Sequence, residues 1–192
     1  LTEGDILLDG ISVVKDPIVC KRSMAYVPDT PRLEEYMTGM QYLNFVCDIY
    51  QVPSKERQQN IERLIHAFQM EPHISGLISS YSHGMKQKVA LIAAFSHNPK
   101  FLVLDEPFVG LDPEAFIALK DQMKMLCRKR SSVLFSSHIL DVVEKLCNKI
   151  SIIKDGRLLY SGTTEELIGV EGLEEAFMEL NSNERFDPSI EK

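Results

Sequence analysis

The run Phe101-Leu102-Val103-Leu104, leading directly into Asp105-Glu106, constrains this 192-residue chain more than any other segment. Four apolar residues without a period, closed by two carboxylates, fit a short strand buried on both faces, and such strands belong to parallel sheets. Parallel strands are joined by crossovers, usually helical, so helical periodicity is expected on either side. Upstream, His83 to His97 reads as a helix. Downstream, Asp112 is a candidate N-cap with Pro113 at the first helical position, and Phe116, Leu119, Met123 and Leu126 mark a buried stripe. Ser132 to Phe135 then returns as strand, and the predicted class is α/β with a parallel sheet.

The rest of the chain is organised around that core. Asp5 to Leu8 and Ile11 to Val14 flank Asp9-Gly10, whose residues accept positive φ, and this predicts an opening hairpin. A short polar stretch leads to a strand, Met24 to Val27, stopped by Pro28, and Pro31 prolongs the loop. Thr38-Gly39-Met40-Gln41 is a capping box, and Leu43, Val46, Cys47 and Tyr50 give the helix it opens one apolar face up to Pro53. A second helix from about Ser54 carries Ile61, Leu64, Ile65 and Phe68 at i, i+3, i+4 and i+7. Residues 38–98 therefore read as a mostly helical insertion. Beyond the core, Ile139 to Leu146 reads as helix, Ile150 to Ile153 as strand, and Asp155-Gly156 as a turn into Leu158 to Tyr160. Thr163-Thr164-Glu165-Glu166 is a second capping box, and the polar stretch 181–192 is expected to be a mobile tail.

Composition narrows the function classes. With 44% hydrophobic and 26% charged residues, disordered, collagenous and disulfide-scaffold chains are excluded. The longest uncharged apolar stretch, Val89 to Phe95, is too short to cross a bilayer, so a membrane role requires a partner chain. The net charge of −7 gives no global field to attract nucleic acid, and none is expected as a partner. The four cysteines form no C-x-x-C pair and read as reduced thiols in a cytosolic protein.

Three places bear chemistry. Asp105 and Glu106 leave a strand at the carboxyl edge of a parallel sheet, where ligands bind in open α/β folds. One carboxylate there can hold Mg²⁺ while the next polarises water for attack on a phosphoryl group; a solvated acidic strand end is the alternative. Ser136-Ser137-His138 ends the next strand, where an imidazole can donate to a phosphate oxygen or simply cap the helix that follows. Ser82 precedes the helix from His83, whose first-turn amides form either an anion site or an ordinary capped end.

The order of these segments carries a resemblance. Tyr26-Val27-Pro28-Asp29, then Ser82-His83-Gly84, then Phe101 to Glu106 with Gly110-Leu111-Asp112-Pro113, then His138 resemble the ATPase subunit of an ABC transporter from Gly4 to about Leu180. Gly84-Met85-Lys86-Gln87-Lys88 and Asp105-Glu106-Pro107-Phe108 are most similar to bacterial exporter-type subunits, the Ecs type among them. The resemblance implies a P-loop NTPase-like (RecA-like) parallel sheet core in residues 1–37 and 99–180. It also implies an inserted α-helical signature subdomain in 38–98 and an N-terminal antiparallel hairpin. ATP and Mg²⁺ are the implied ligands. The implied partners are a membrane-embedded subunit and a second ATPase subunit in a head-to-tail dimer, which sets the protein on the inner face of the cell membrane. Asp105 would ligate magnesium, with Asp29 at the Q-loop position as a further oxygen donor. Glu106 would be the catalytic base and His138 the switch histidine. Ser82, His83 and Gly84 would cap ATP held by the opposite subunit, and Asp112 matches the D-loop.

Three departures qualify that implication. Asp29 stands where glutamine is usual, and its charge adds repulsion toward a γ-phosphate. His83 stands where glycine is usual, adding bulk and a basic group. The phosphate-cradling G-x-x-x-x-G-K-[ST] is absent, since the sequence contains no Gly-Lys pair. In the family that motif precedes the segment matching Gly4 to Leu8, and with Leu1 rather than methionine at the start, the expectation is an N-terminal truncation of about 40 residues. Two other readings stand beside an ATPase: a non-catalytic half of an ABC dimer, and a soluble ABC-type ATPase.

Overall fold

Asp9-Gly10 turns the chain back on itself in the computed structural model, which describes residues 3–168 and 172–182. Both residues take positive φ, 50° and 79°, as this turn demands. The hairpin it joins is short, β1 (Leu7–Leu8) against β2 (Ile11–Ser12). The polar stretch that follows is a helix, α1 (Pro17–Ser23), with Pro17 in its first turn and Lys21 and Arg22 in its last. Proline's fixed φ and cations at a carboxyl end both favour helix. Cys20 is the one buried residue of these seven, so no apolar period announced the element.

Residues through Ser136 form one compact unit and those from Ser137 a second. In the first, β3 (Met24–Val27), β4 (Phe101–Leu104) and β5 (Ser132–Phe135) lie side by side, all parallel. Met24, Phe101 and Ser132 are in register at one end and Val27, Leu104 and Phe135 at the other. The sheet is covered unevenly. Leu102 and Leu104 are buried, but Val103 is half-buried and its register neighbours Tyr26 and Leu134 are each 58% exposed. The expectation of a strand buried on both faces therefore holds for one face only, because α4 and α5 pack against the sheet and nothing among the described residues covers Tyr26, Val103 and Leu134 equally.

Between β3 and β4 lie α2 (Gly39–Ile49), α3 (Ser54–Ala67), a 3₁₀ turn (Ile78–Ser80) and α4 (His83–Ser96). The capping box is formed: Gln41 N–H donates to Thr38 Oγ1 (3.2 Å) and Thr38 N–H to Gln41 Oε1 (2.9 Å). Leu43, Cys47, Leu64, Phe68, Ile78, Leu91 and Ile92 are fully enclosed and make the helical core. Its ends are tied together locally. Thr38 bridges Leu77, Gly39 N–H donates to Gly76 O (3.2 Å), and Tyr81 Oη–H donates to His73 O (2.7 Å). After β4, α5 (Pro113–Arg128) begins at an Asp112 N-cap, as its sequence predicts.

The second unit holds α6 (Leu140–Leu146), an antiparallel hairpin of β6 (Lys149–Lys154) and β7 (Arg157–Thr163), α7 (Thr164–Ile168) and α8 (Leu173–Ser182). Thr163 and Glu166 exchange both bonds of the second capping box, at 3.1 and 3.2 Å. Of the polar stretch expected from Asn181, the first two residues end α8, and 183–192 lie outside the described residues.

Candidate active site

The carboxyl ends of the three parallel strands build the site. The ladder continues one residue past them: Asp105 N–H donates to Val27 O (2.9 Å) and Ser136 N–H to Leu104 O (3.0 Å). Asp105 and Ser136 are thus pinned side by side on the sheet edge. Ser136 Oγ–H donates to Asp105 Oδ1 at 2.5 Å, and Glu106 N–H donates to Ser136 Oγ at 2.9 Å. Glu106 has φ of 43°, the left-handed region that side-chain-bearing residues seldom adopt. Phe108 anchors the turn that follows, 4% exposed, with its ring 4.8 Å from Phe116 and 5.8 Å from Phe135 between centroids.

Asp29 leaves β3 at the same sheet edge, exposed, its Oδ1 accepting from Thr30 N–H at 2.7 Å. It borders a groove of about 550 Å³ that Arg32, Tyr42, Tyr50 and His97 also line. Oxygen donors from Asp105 and Asp29 suit Mg²⁺. Among the described residues no three His, Cys, Asp or Glu side chains converge as a metal cage.

A second cluster forms where α4 and α5 begin. Ser82 Oγ caps α4 by accepting from Met85 N–H (3.3 Å), and His83 and Gly84 make its first turn. A Cβ on Gly84 would lie 2.7 Å from Gly110 O, so only glycine fits there. Gly110 has φ of 76°, and a Cβ on it would meet His83 Cδ2 at 3.1 Å. Asp112 accepts from Ala115 N–H at 2.9 Å and pairs with Lys88 Nζ at 2.5 Å. The Lys88 bond holds the Asp112 carboxyl below its ordinary range, against a smaller opposing effect of burial. The backbone of Gly110 and the first turn of α4 are thus in direct contact.

His138 lies exposed at the start of the second unit, where Ser137 Oγ accepts from Ile139 N–H at 3.1 Å. The structure brings Asp29, Asp105 and Glu106 to one sheet edge, and Ser82, His83, Gly84 and Asp112 to the α4 and α5 starts.

A family profile described as ABC transporter matches residues 1–109. The chain is 33% identical over 177 residues to the ABC-type transporter ATP-binding protein EcsA of Bacillus subtilis, which spans 92% of this chain and 72% of EcsA. The chain belongs to the ABC transporter family. An uncharacterized ABC transporter ATP-binding protein of Nostoc, all4389, is 32% identical over 78% of this chain and 45% of its own length. A solved ATP-binding subunit of an ABC transporter superposes with a TM-score of 0.89 at 32% identity, covering 93% of this chain and 77% of that one. The parallel core, opening hairpin and helices are the P-loop NTPase-like α/β fold of that subunit. The sequence pattern does not single out Ser136, Lys88 or Phe108, although Ser136 bonds Asp105, Lys88 pairs with Asp112 and Phe108 packs against Phe116 and Phe135. Phe108 alone gave a signal, as a large apolar residue in a loop between two predicted elements.

Proposed function

We propose that this chain supplies the hydrolytic carboxylates of an ATP-hydrolysing subunit of a bacterial ABC exporter. The observation that carries the reading is the Asp105-Glu106 pair held at the carboxyl edge of β4 by Ser136. Mg²⁺ bound at Asp105, with Asp29 as a further oxygen donor, would neutralise phosphate charge. Glu106 orients and deprotonates the attacking water, and His138 donates to the γ-phosphate. Ser82, His83 and Gly84, at the start of α4, present backbone amides to ATP held by a second subunit in a head-to-tail dimer, with Asp112 beside them. Among the described residues no helix is long and apolar enough to cross a membrane. The reading includes a membrane-embedded partner subunit, and we place its contact at the groove bordered by Asp29. The protein then works on the cytoplasmic face of the membrane, with 38–98 as its signature subdomain.

These 192 residues contain no G-x-x-x-x-G-K-[ST]. Without such a cradle to fix the phosphates, this chain alone is expected to show no steady-state turnover. The same absence favours a second reading, a non-catalytic half that pairs with a competent partner. ATPase assays separate the two: the complete reading frame should hydrolyse ATP, and Glu106→Gln should slow it by about 100-fold or more while sparing nucleotide binding. Wild-type turnover in Glu106→Gln would exclude Glu106 as the base, and no turnover in the unsubstituted frame would favour the non-catalytic half.

A further inference from the structure

Ser136 does more at the sheet edge than end a strand. Its backbone N–H carries the ladder to Leu104 O, which sets its Cα beside Asp105. Its hydroxyl then makes two bonds whose directions are fixed by chemistry. Glu106 N–H can only donate, so Ser136 Oγ accepts there (2.9 Å), and the single hydroxyl proton goes to Asp105 Oδ1 (2.5 Å). A bond to an ionised carboxylate is among the stronger and shorter kinds. One side chain thereby restrains both neighbouring acids, one through its carboxylate and the other through its backbone.

We infer that Ser136 is a positioning residue for phosphoryl transfer: it fixes the plane of the Asp105 carboxylate and holds the left-handed backbone from which the Glu106 side chain departs. The left-handed φ of 43° at Glu106 is a conformation that surrounding bonds must sustain, and the Ser136 bond is made at that residue's own amide. Asp105 Oδ1 is engaged by the serine, which leaves Oδ2 outside that bond for a divalent cation. Loss of the hydroxyl frees the carboxylate to rotate and releases the Glu106 amide at the same time. Base orientation and metal affinity should therefore degrade together. This inference rests on the reading of Asp105 and Glu106 given above.

The test uses the complete reading frame and four variants, S136A, S136T, S136V and E106Q. S136A should lower kcat by about tenfold or more with the KM for ATP changed less than about threefold, because the bond serves the transition state rather than nucleotide binding. The Mg²⁺ concentration giving half-maximal rate should rise several-fold. Threonine keeps the hydroxyl and valine matches its shape without it, so S136T should restore both quantities and S136V should not. Hydrogen exchange of the Glu106 amide, measured without nucleotide, should quicken in S136A and S136V and stay slow in S136T. Wild-type kcat and Mg²⁺ dependence in S136A, beside an inactive E106Q, would overturn the role of Ser136 while leaving the site intact. An active E106Q would instead overturn the reading of the site. If S136A fails to fold, the threonine and valine pair decides the question, and equal behaviour of the two overturns the inference.

Discussion

His97 closes α4 with its ring stacked on Tyr50, centroids 3.6 Å apart and planes 12° from parallel. Tyr50 Oη–H donates to Met24 O at 3.2 Å, so the pair joins the ends of α2 and α4 to the start of β3. Neither ring nitrogen of His97 has a hydrogen-bond partner among the described residues, although the carbonyls of Met24 and Ala93 lie close enough to favour charge. Burial outweighs them and lowers the imidazole below its ordinary 6.5. The sign follows: below pH 6.5 the unfolded chain binds a proton that the native ring resists until the pH reaches its lower folded value. Stability contributed by the neutral ring is complete above 6.5 and declines as the pH falls through that window. Denaturant unfolding should show lower stability at mildly acid than at neutral pH, and this dependence should be reduced in His97→Phe, which keeps a stacking ring without a titrating nitrogen. An unchanged pH dependence in that variant would contradict the assignment.

At the scale of elements, α4 and α5 start from one shared junction. Lys88 of α4 reaches Asp112, whose other task is to cap α5 through Ala115. Asp112→Ala removes cap and pair together and should destabilise by about 1 kcal/mol or slightly more. Lys88→Met leaves the cap and removes the pair alone, which is partly exposed and is expected to matter by less than about 1 kcal/mol. The Asp112 carboxyl is held below its ordinary range, so the coupling measured in a double-mutant cycle is present above that range and should vanish only in strongly acid solution. Coupling that fades at mildly acid pH would show that Lys88 is not what holds it.

How far these elements were legible depends on the reach of each signal. The caps at Thr38, Ser82, Asp112 and Thr163 lie within four residues of their partners, and all are formed as the sequence predicts. α1 has proline in its first turn and basic residues in its last but no apolar stripe, and it went unread. The half-open face of β4 was illegible because a strand's burial depends on what covers the sheet, which no local pattern encodes. Asp105 and Glu106 were visible as a pair, whereas Ser136 gains its meaning only from the register that sets β5 beside β4. Lys88 is likewise one basic residue among several until α5 is brought against α4.

For the molecule as a whole, the two layers of the first unit differ in completeness. The helical segment encloses its own core and ties its ends together, but β5 is bonded only to β4 among the described residues, with Leu134 58% exposed. Hydrogen exchange on the 192-residue chain should therefore find slower exchange in α2, α3 and α4 than in Val133 to Phe135. Equal protection in both would show that the sheet needs no further neighbour. The pairing of β3 with β4 has a consequence for the order of folding. These partners are separated by the entire helical segment, and joining them from an open chain would first have to meet the entropy of closing that long loop. If formed first, the bridge between Thr38 and Leu77 and the stack of Tyr50 on His97 would shorten the path between the two strands. The helical segment is therefore expected to form ahead of the sheet and to bring Met24 beside Phe101 before the sheet edge at Asp105 assembles.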